Sequence, residues 1–262
     1  MLTTIASYRL VSQDLDRSLE QKANEPLVKR ETEYYLENIV KVKSIDEFLE
    51  NDRLFNYAMK AHGLEDMSYA KAFMRKALVE GVDERDTFAN NLADTRYREF
   101  VESFNFARHG DIATVFTRAQ TGTTEKYIRQ TLEEDVGEEN TGVRLALYFQ
   151  RKAPTITSAY GLMADKALLE VTQTALNLPT STSNLDIDRQ AELISKQIDI
   201  EDFKDPEKLD AFLQRFTALW ELNNPTSAAS SGAIPNVLLS GTGIIGINDS
   251  ILASLQNLKI GG

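Results

Sequence analysis

One amphipathic helical pattern occurs twice between Ser44 and Phe106, and it constrains the fold more than any other feature of the sequence. In each copy apolar residues precede an aspartate, Asp52 in the first and Asp94 in the second, and an apolar run at spacings of three and four follows. That spacing places the apolar side chains on one face of a helix and the charged side chains on the other. The aspartate is suited to capping, because its carboxylate can accept free backbone N–H groups.

Similar pairs of helices are predicted further along the chain. A shorter apolar run lies at 69–81, and comparable runs follow Thr124 and Asp188. Each precedes a longer helix, and the last two long helices begin after Asp165 and at Asp205, which is followed by a proline suited to a first helical turn. The sequence therefore predicts an all-α fold, an irregular bundle or array of helical hairpins in which short-helix/long-helix units recur about four times.

The composition divides the chain into three segments. Residues 1–222 form the predicted helical domain, which also contains helices over about 27–42 and 141–152. Residues 223–232 are rich in Asn, Ser and Ala and are predicted to be a flexible linker. Residues 233–262 form an apolar, Gly-rich tail with a short helix, in which Asp249 and Lys259 are the only charged residues. Such a tail either packs against the domain or binds a partner.

Two apolar seams are candidate partner-binding surfaces. One lies in the amphipathic helix predicted over residues 1–22, and the other lies in the short helix of the tail. The first has spacings of three and four that keep side chains against a neighbouring helix, and the second marks a short amphipathic helix. For the first seam, a core helix and a partner-binding or oligomerising helix are both compatible with the pattern. The candidate residues are Ile5, Tyr8, Leu15, Leu19, Ile247, Ile251, Leu255 and Leu258.

Composition excludes several classes of function. The 262 residues contain no cysteine and two histidines, which excludes disulfides, thiol nucleophiles and thiolate metal sites and argues against a histidine-built metal centre. The formal charge of -11 argues against binding to duplex nucleic acid, which needs a basic face. Charged residues within the first twenty argue against a secretory signal peptide, and no apolar window is long enough for a membrane span.

The remaining local motifs favour structural roles over chemistry. His62-Gly63 and His109-Gly110 are typical of helix C-termini, where the glycine adopts a left-handed turn and the histidine complements the helix dipole. The acidic run 133–139 lacks the alternating ligands of a calcium loop and is expected to be a solvated helix end and turn. The glycines of 241–246 match a dinucleotide fingerprint, but too few residues follow to complete a βαβ unit. No catalytic residue, cofactor or metal is predicted.

The segments ETEYYLENIVKVKSIDEFLENDRLFNYAMKAHGLEDM and DTFANNLADTRYREFVESFNF resemble an uncharacterised domain-of-unknown-function family that is encoded in flagellar gene clusters of alphaproteobacteria. The resemblance covers most of residues 1–222, although His62 stands where an aromatic residue is expected. It implies a bacterial protein connected with the flagellum or its assembly, and it carries no catalytic residues. Flagellar axial proteins are similar in having amphipathic helices at both ends, no cleaved signal and few cysteines.

These observations favour a non-enzymatic structural or interaction protein associated with the bacterial flagellum, whose partners are flagellar subunits or further copies of itself. The alternative in the same class is a cytosolic export chaperone or regulator of flagellar subunits. The alternative in another class is a small-molecule-binding domain or a carboxylate-based enzyme, which a buried pair of acids in a closed pocket would favour. The expected location is the cytoplasm, or the flagellum after export by a dedicated secretion apparatus.

Overall fold

The computed structural model describes residues 2–224, and across this part of the chain all regular structure is helical, which confirms the all-α fold. No helix among these residues is both long enough and apolar enough to span a bilayer. The α-helices, joined by loops and short 3₁₀ turns, are α1 (Thr4–Ser12), α2 (Leu15–Ala23), α3 (Pro26–Ile39), α4 (Ile45–Glu50), α5 (Asp52–Ala61), α6 (Lys71–Glu80), α7 (Thr95–Ser103), α8 (Phe106–His109), α9 (Thr121–Glu139), α10 (Thr141–Lys152), α11 (Ala159–Ala164), α12 (Lys166–Ala175), α13 (Ile187–Ser195) and α14 (Pro206–Asn223).

The first core lies among α3 to α9 and is rich in aromatic rings. Phe48 from α4, Phe55 from α5 and Phe104, which follows α7, are fully buried. The Phe48 ring centroid lies 4.8 Å from that of Phe104 and 5.9 Å from that of Phe55. Tilted and edge-on contacts at these distances are favourable between aromatic rings. The apolar faces of the two copies of the sequence pattern therefore meet in one core.

The second core lies among α10 to α14 and takes one further residue from α1. Phe149 of α10 packs against Phe203 and Phe212, with ring centroids 5.1 and 5.3 Å apart. Tyr8 of α1 is fully buried in the same cluster. The first helix of the chain thus completes a core that is otherwise built from the C-terminal part of the domain.

Helix α9 passes from the first core to the second. Tyr127, in its N-terminal half, belongs to the first core, and Val136, near its C-terminus, packs against the second. The same helix packs on α5 and on α10. Gly137 within α9 lets the side chain of Arg144 from α10 lie across the helix, because a Cβ at residue 137 would stand 2.6 Å from Arg144 Cδ. This close contact joins α9 tightly to α10.

The single helix predicted over residues 1–22 is wrong, because the structure has two helices there. Helix α1 ends at Ser12, and Asp14 caps α2 by accepting a backbone N–H at 3.1 Å. A carboxylate that satisfies a free N–H offers the backbone an alternative to continued helix. The N-terminal seam is consequently divided between α1 and α2.

Three of the four predicted aspartate caps are confirmed. Asp94, Asp165 and Asp205 each accept backbone N–H groups at the start of α7, α12 and α14. In α5 the capping residue is Asn51, whose Oδ1 accepts a backbone N–H at 3.2 Å, and Asp52 is the first helical residue. The prediction of Asp52 as the cap is therefore wrong by one position, and its charge still lies in the first turn, where it complements the helix dipole.

The short helix predicted after Thr124 is also wrong, since α9 is 19 residues long. The acidic run 133–139, expected as a helix end and turn, instead forms the last two turns of α9. Glu133 is only 2% exposed, so it does not belong to a solvated face. The helix continues because basic side chains, among them Arg129 and Arg151, form ion pairs with carboxylates of this run.

Candidate interaction site at the terminal helices

Helices α1 and α14 lie antiparallel against each other. The backbone N–H of Thr4, at the start of α1, donates to the carboxylate of Glu221, near the end of α14, at 2.7 Å. Further along α1, Arg9 Nη2 donates to Gln214 Oε1 at 2.9 Å. Residue numbers therefore rise along one helix as they fall along the other. The start of α1 lies beside the end of α14, after which residues 225–262 follow.

A polar contact fixes this end of α1 to two other helices. Thr4 is fully buried, and its hydroxyl also donates to the carboxylate of Glu221. Asn140 Nδ2 donates to Thr4 Oγ1 at 2.9 Å, while Asn140 Oδ1 caps α10 by accepting backbone N–H groups. Hydrogen bonds to a charged acceptor contribute about 1.5–3 kcal/mol each. The first turn of α1 is consequently tied to both α10 and α14.

The four N-terminal candidate residues have different environments. Tyr8 is buried in the second core, and its hydroxyl donates to Asp210 Oδ1 at 3.4 Å. Burial, and after it the charge of Asp210, raises the pKa of Tyr8, so its phenol stays protonated. Ile5, Leu15 and Leu19 are half-buried and belong to neither core. A partner can therefore reach these three side chains, whereas Tyr8 holds α1 in place.

Sequence analysis missed three exposed leucines, of which Leu2 precedes α1, Leu10 lies in α1 and Leu222 lies near the end of α14. Leu2, Leu10 and Leu222 are 57%, 69% and 63% exposed. They lie outside the seam that the helical spacing selected, and for Leu222 the only signal is an apolar residue at the end of an otherwise amphipathic helix. Together with the three half-buried residues they form what we call the terminal apolar set: Leu2, Ile5, Leu10, Leu15, Leu19 and Leu222. The tail candidates Ile247, Ile251, Leu255 and Leu258 lie outside the described residues, as do the glycines of 241–246.

A buried ion-pair network lies between α9 and α10. Glu133 accepts from Arg129 Nε at 2.8 Å and from Arg151 Nη2 at 2.7 Å. Arg129 also donates to the carbonyl of Leu147 at 3.1 Å. Among the described residues Glu133 is the only buried carboxylate, and two arginines neutralise it. The buried pair of acids that would favour a carboxylate enzyme is thus not present in this part of the chain.

A second polar group, which we call the Lys126 cluster, consists of His62, Ser103 and Lys126. His62 closes α5 as predicted, with Gly63 at a φ of 67°. His62 Nδ1 lies 2.9 Å from the carbonyl of Ala58, so this nitrogen carries the proton and donates. Lys126 Nζ donates to His62 Nε2 at 3.1 Å. The cluster connects α5, α7 and α9, and its His62 ring contacts Phe100 and Phe104 of the first core.

The expected charge of His62 is not what the structure supports. Burial, and after it the charge of Lys126, lowers the pKa of His62 to about 3. The ring is therefore neutral near pH 7, and it stabilises the end of α5 through a hydrogen bond to a carbonyl and through its contacts with Phe100 and Phe104, whose centroids lie 5.2 and 5.9 Å away. The prediction that it complements the helix dipole as a cation is wrong.

Within residues 2–224 no group of three or more histidines and carboxylates is placed to hold a metal ion. Three of the five carboxylates of the acidic run, beginning with Glu133, are paired with basic side chains. Glu134 contacts Lys60 at 2.8 Å, and Asp135 contacts Lys22 at 2.5 Å. The contacts of this run are those of a structural ion-pair network.

Residues 61–209 match the profile of a family described as protein of unknown function, DUF1217. The match spans more than half of the 262 residues. The chain belongs to the DUF1217 family. No curated protein matches the chain significantly. The X-ray structure of an Agrobacterium tumefaciens protein, determined by a structural genomics consortium, is similar to this one, with 54% sequence identity and a TM-score of 0.78 over 85% of this chain and 94% of that chain.

The DUF1217 match and the terminal apolar set occupy different parts of the chain. The matched range begins at the end of α5 and ends within the first turn of α14, so it contains both the Lys126 cluster and the Glu133 network. Helices α1 and α2 and most of α14 lie outside it. The similar A. tumefaciens structure covers a larger share of the chain and carries no stated function.

Proposed function

We propose that this protein is a non-enzymatic structural or interaction protein of the bacterial flagellum or of its assembly. The observation that carries the proposal is the antiparallel pairing of α1 with α14, which brings the start of the first helix beside the end of the last described helix, after which the sequence continues into the predicted linker and apolar tail. Partner binding would then use the terminal apolar set together with the tail.

The physical argument rests on which side chains the fold leaves unburied. Buried contacts of Thr4 and Tyr8 hold α1 rigidly on the domain, so α1 does not need Leu2 and Leu10 for its own packing. Exposed leucines cost solubility unless a partner covers them, and several on adjacent helices make a candidate contact surface. A helix held in place also loses little conformational entropy when it binds a partner.

The flagellar context comes from resemblance. The segments quoted above resemble a family that occurs in alphaproteobacterial flagellar gene clusters, and the similar solved structure comes from A. tumefaciens. Amphipathic helices at both ends are also a property of flagellar axial proteins. These likenesses support the assignment to the flagellum, and the following experiments test it.

The first test measures where the protein is found. Quantitative mass spectrometry would follow it in cytosol, culture supernatant and purified hook and basal-body fractions of wild-type and export-deficient cells. A structural component is expected in the exported fractions of wild-type cells and absent from those of the export mutant. Cytosolic retention in both strains overturns that role, and cross-linking to unexported subunits in the cytosol would then identify a chaperone.

The second test addresses the terminal apolar set. The double variant Leu10→Ser, Leu222→Ser removes two exposed leucines, and Val79→Ser on α6, where the valine is 58% exposed, is the matched control. Both variants should fold normally, because each change lies at the surface. The double variant is expected no longer to be recovered together with its binding partner. The control variant is expected to be recovered with that partner as the unaltered protein is. Equal recovery of both variants would contradict the assignment of this surface.

A further inference from the structure

Lys126 differs from the other partly buried lysines of the described chain. Five lysines have intermediate exposure, and four of them contact a carboxylate at 2.5–2.8 Å. These four are Lys22, Lys60, Lys71 and Lys152. Lys126 is the fifth, and it forms no ion pair with a carboxylate of this part of the chain; its two hydrogen bonds go to His62 and Ser103. Its amine is thus removed from water without a counter-charge.

The hydrogen-bond partners of Lys126 are neutral. His62 Nε2, at 3.1 Å, offers a lone pair, because the proton of this ring lies on Nδ1. Ser103 Oγ, at 3.4 Å, accepts from Lys126 while it donates its own proton to the carbonyl of Glu99 at 3.0 Å. Neither partner stabilises an ammonium group as a carboxylate does. The geometry accordingly favours the neutral amine more than at any of the four paired lysines.

Burial is the largest influence on the amine and lowers the pKa of Lys126. The charged groups around it have both signs: Glu99 of α7 has the largest charge effect and raises the pKa, Lys152 and Arg151 of α10 lower it, and Glu102 raises it. Glu99 is already engaged by Lys152 at 2.6 Å, which weakens its effect on Lys126. A lysine desolvated beside other cations is the arrangement that makes an amine nucleophilic near neutral pH.

We propose that Lys126 is a modification site, the lysine of residues 2–224 that reacts first with small acyl phosphates. The neutral Nζ attacks the acyl carbon, a C–N bond forms, and the bond between that carbon and the phosphate oxygen breaks. Phosphate leaves with the electron pair and takes up the proton that the amine releases. The products are an N-acyl lysine and inorganic phosphate, and no oxidant or reductant is required.

The surroundings suit an anionic acyl donor. Lys152 and Arg151 add positive charge beside the amine, which attracts a phosphate group. After acylation the amide N–H can still donate to His62 Nε2, so the product keeps the hydrogen bond of the cluster. The acylated side chain can no longer be protonated, so no positive charge can form at the contact between α5, α7 and α9.

The test uses the full-length protein and acetyl phosphate. Peptide mass spectrometry at short incubation times would give the acetylation rate of each lysine at neutral pH. Lys126 is expected to react several-fold faster than Lys152, whose amine is held by the carboxylate of Glu99. Lys29, which is exposed, controls for access. A rate at Lys126 equal to or below those of Lys152 and Lys29 would overturn the proposal.

Two variants test whether Lys126 reacts fast because it lacks a carboxylate partner or only because acetyl phosphate can reach it. Ser103→Asp places a carboxylate beside Lys126 and should reduce its acetylation roughly tenfold, whereas Ser103→Ala removes only the hydroxyl and should leave it fast. Circular dichroism checks that both variants fold. If Ser103→Asp fails to fold, the competition among lysines in the unaltered protein still decides the proposal. Equal rates in two folded variants would contradict it.

Discussion

His62 is expected to destabilise the protein as the pH falls from neutral to mildly acidic values. Burial lowers the pKa of this ring from 6.5 to about 3 in the folded protein. In the unfolded chain the ring is solvated and titrates near 6.5. Below that pH the unfolded state therefore binds a proton that the folded state does not bind. The stability is complete above the unfolded pKa and decreases as the pH falls toward the folded pKa.

The size of the effect follows from the interval between the two pKa values. Each pH unit below the unfolded pKa costs about 1.4 kcal/mol, so His62 alone removes about 2 kcal/mol of the free energy of unfolding by about pH 5. The carboxylates with lowered pKa values, among them Asp94, begin to contribute only at more acidic pH, because their ordinary pKa values lie near 4. The window between about pH 6.5 and 5 thus reports mainly on histidine.

The assay is urea unfolding across this pH range, followed by the fluorescence of Trp220, the single tryptophan. His62→Gln keeps a polar side chain that does not titrate, and its stability should change little over the same range. His109→Gln is the matched comparison, because burial, and after it the charge of Arg118, also lowers the pKa of His109. This ring is only partly buried and packs against Phe116 at the surface, with centroids 4.5 Å apart, so its substitution should remove less of the pH dependence than His62→Gln. Parallel pH dependences for the unaltered protein and His62→Gln would refute the reasoning.

Three substitutions test the packing of the second core and its connection to α9. Glu133→Gln leaves the buried Arg129 and the half-buried Arg151 without their counter-charge and should lower the free energy of unfolding by about 3 kcal/mol in urea titrations. Gly142→Ala places a Cβ where the Trp220 indole lies, which should cost about 1–3 kcal/mol and shift the tryptophan emission to longer wavelength. Asp165→Ala removes the cap of α12 and the acceptor of the Tyr148 hydroxyl, a bond of 2.6 Å, and should cost about 2 kcal/mol by the same titration.

Each of these predictions has its own contrary result. A Glu133→Gln variant as stable as the unaltered protein would mean that water reaches the arginines. Unchanged emission in Gly142→Ala would mean that the indole does not contact α10. For Asp165, the matched control is Asp186→Ala, which removes the more exposed cap of α13 and should cost about 1 kcal/mol. An equal loss in the two variants would argue against a contribution from Tyr148.

Local rules were sufficient to predict most helices of this fold. The period of the apolar residues located the two faces that meet around Phe48, and aspartates followed by apolar runs located the starts of α7, α12 and α14. Helix α10 has the predicted bounds, because Asn140 and Pro154 delimit it in the sequence. These features depend only on residues that are close in sequence, so they can be predicted from the sequence.

The failures concern contacts between distant residues. The run beginning at Glu133 looks like a solvated surface until Arg151, on another helix, is placed beside it. The neutral state of His62 likewise depends on Lys126, which is 64 positions away in sequence. Nothing in the spacing of α1 showed that Tyr8 would complete the second core. Of these contacts, only the ion pair between Arg129 and Glu133 joins residues of one helix at the spacing i and i+4.

Helix α9 packs against both cores, and this affects how the domain unfolds. If the first core opened alone, Tyr127 would enter water while Val136 remained packed, so the helix would have to fray along its length to release one half. The same holds in reverse for the second core. Residues 2–224 should consequently unfold in one cooperative step, and a protease cut after Glu139 would leave a C-terminal fragment whose second core lacks Tyr8 and Val136.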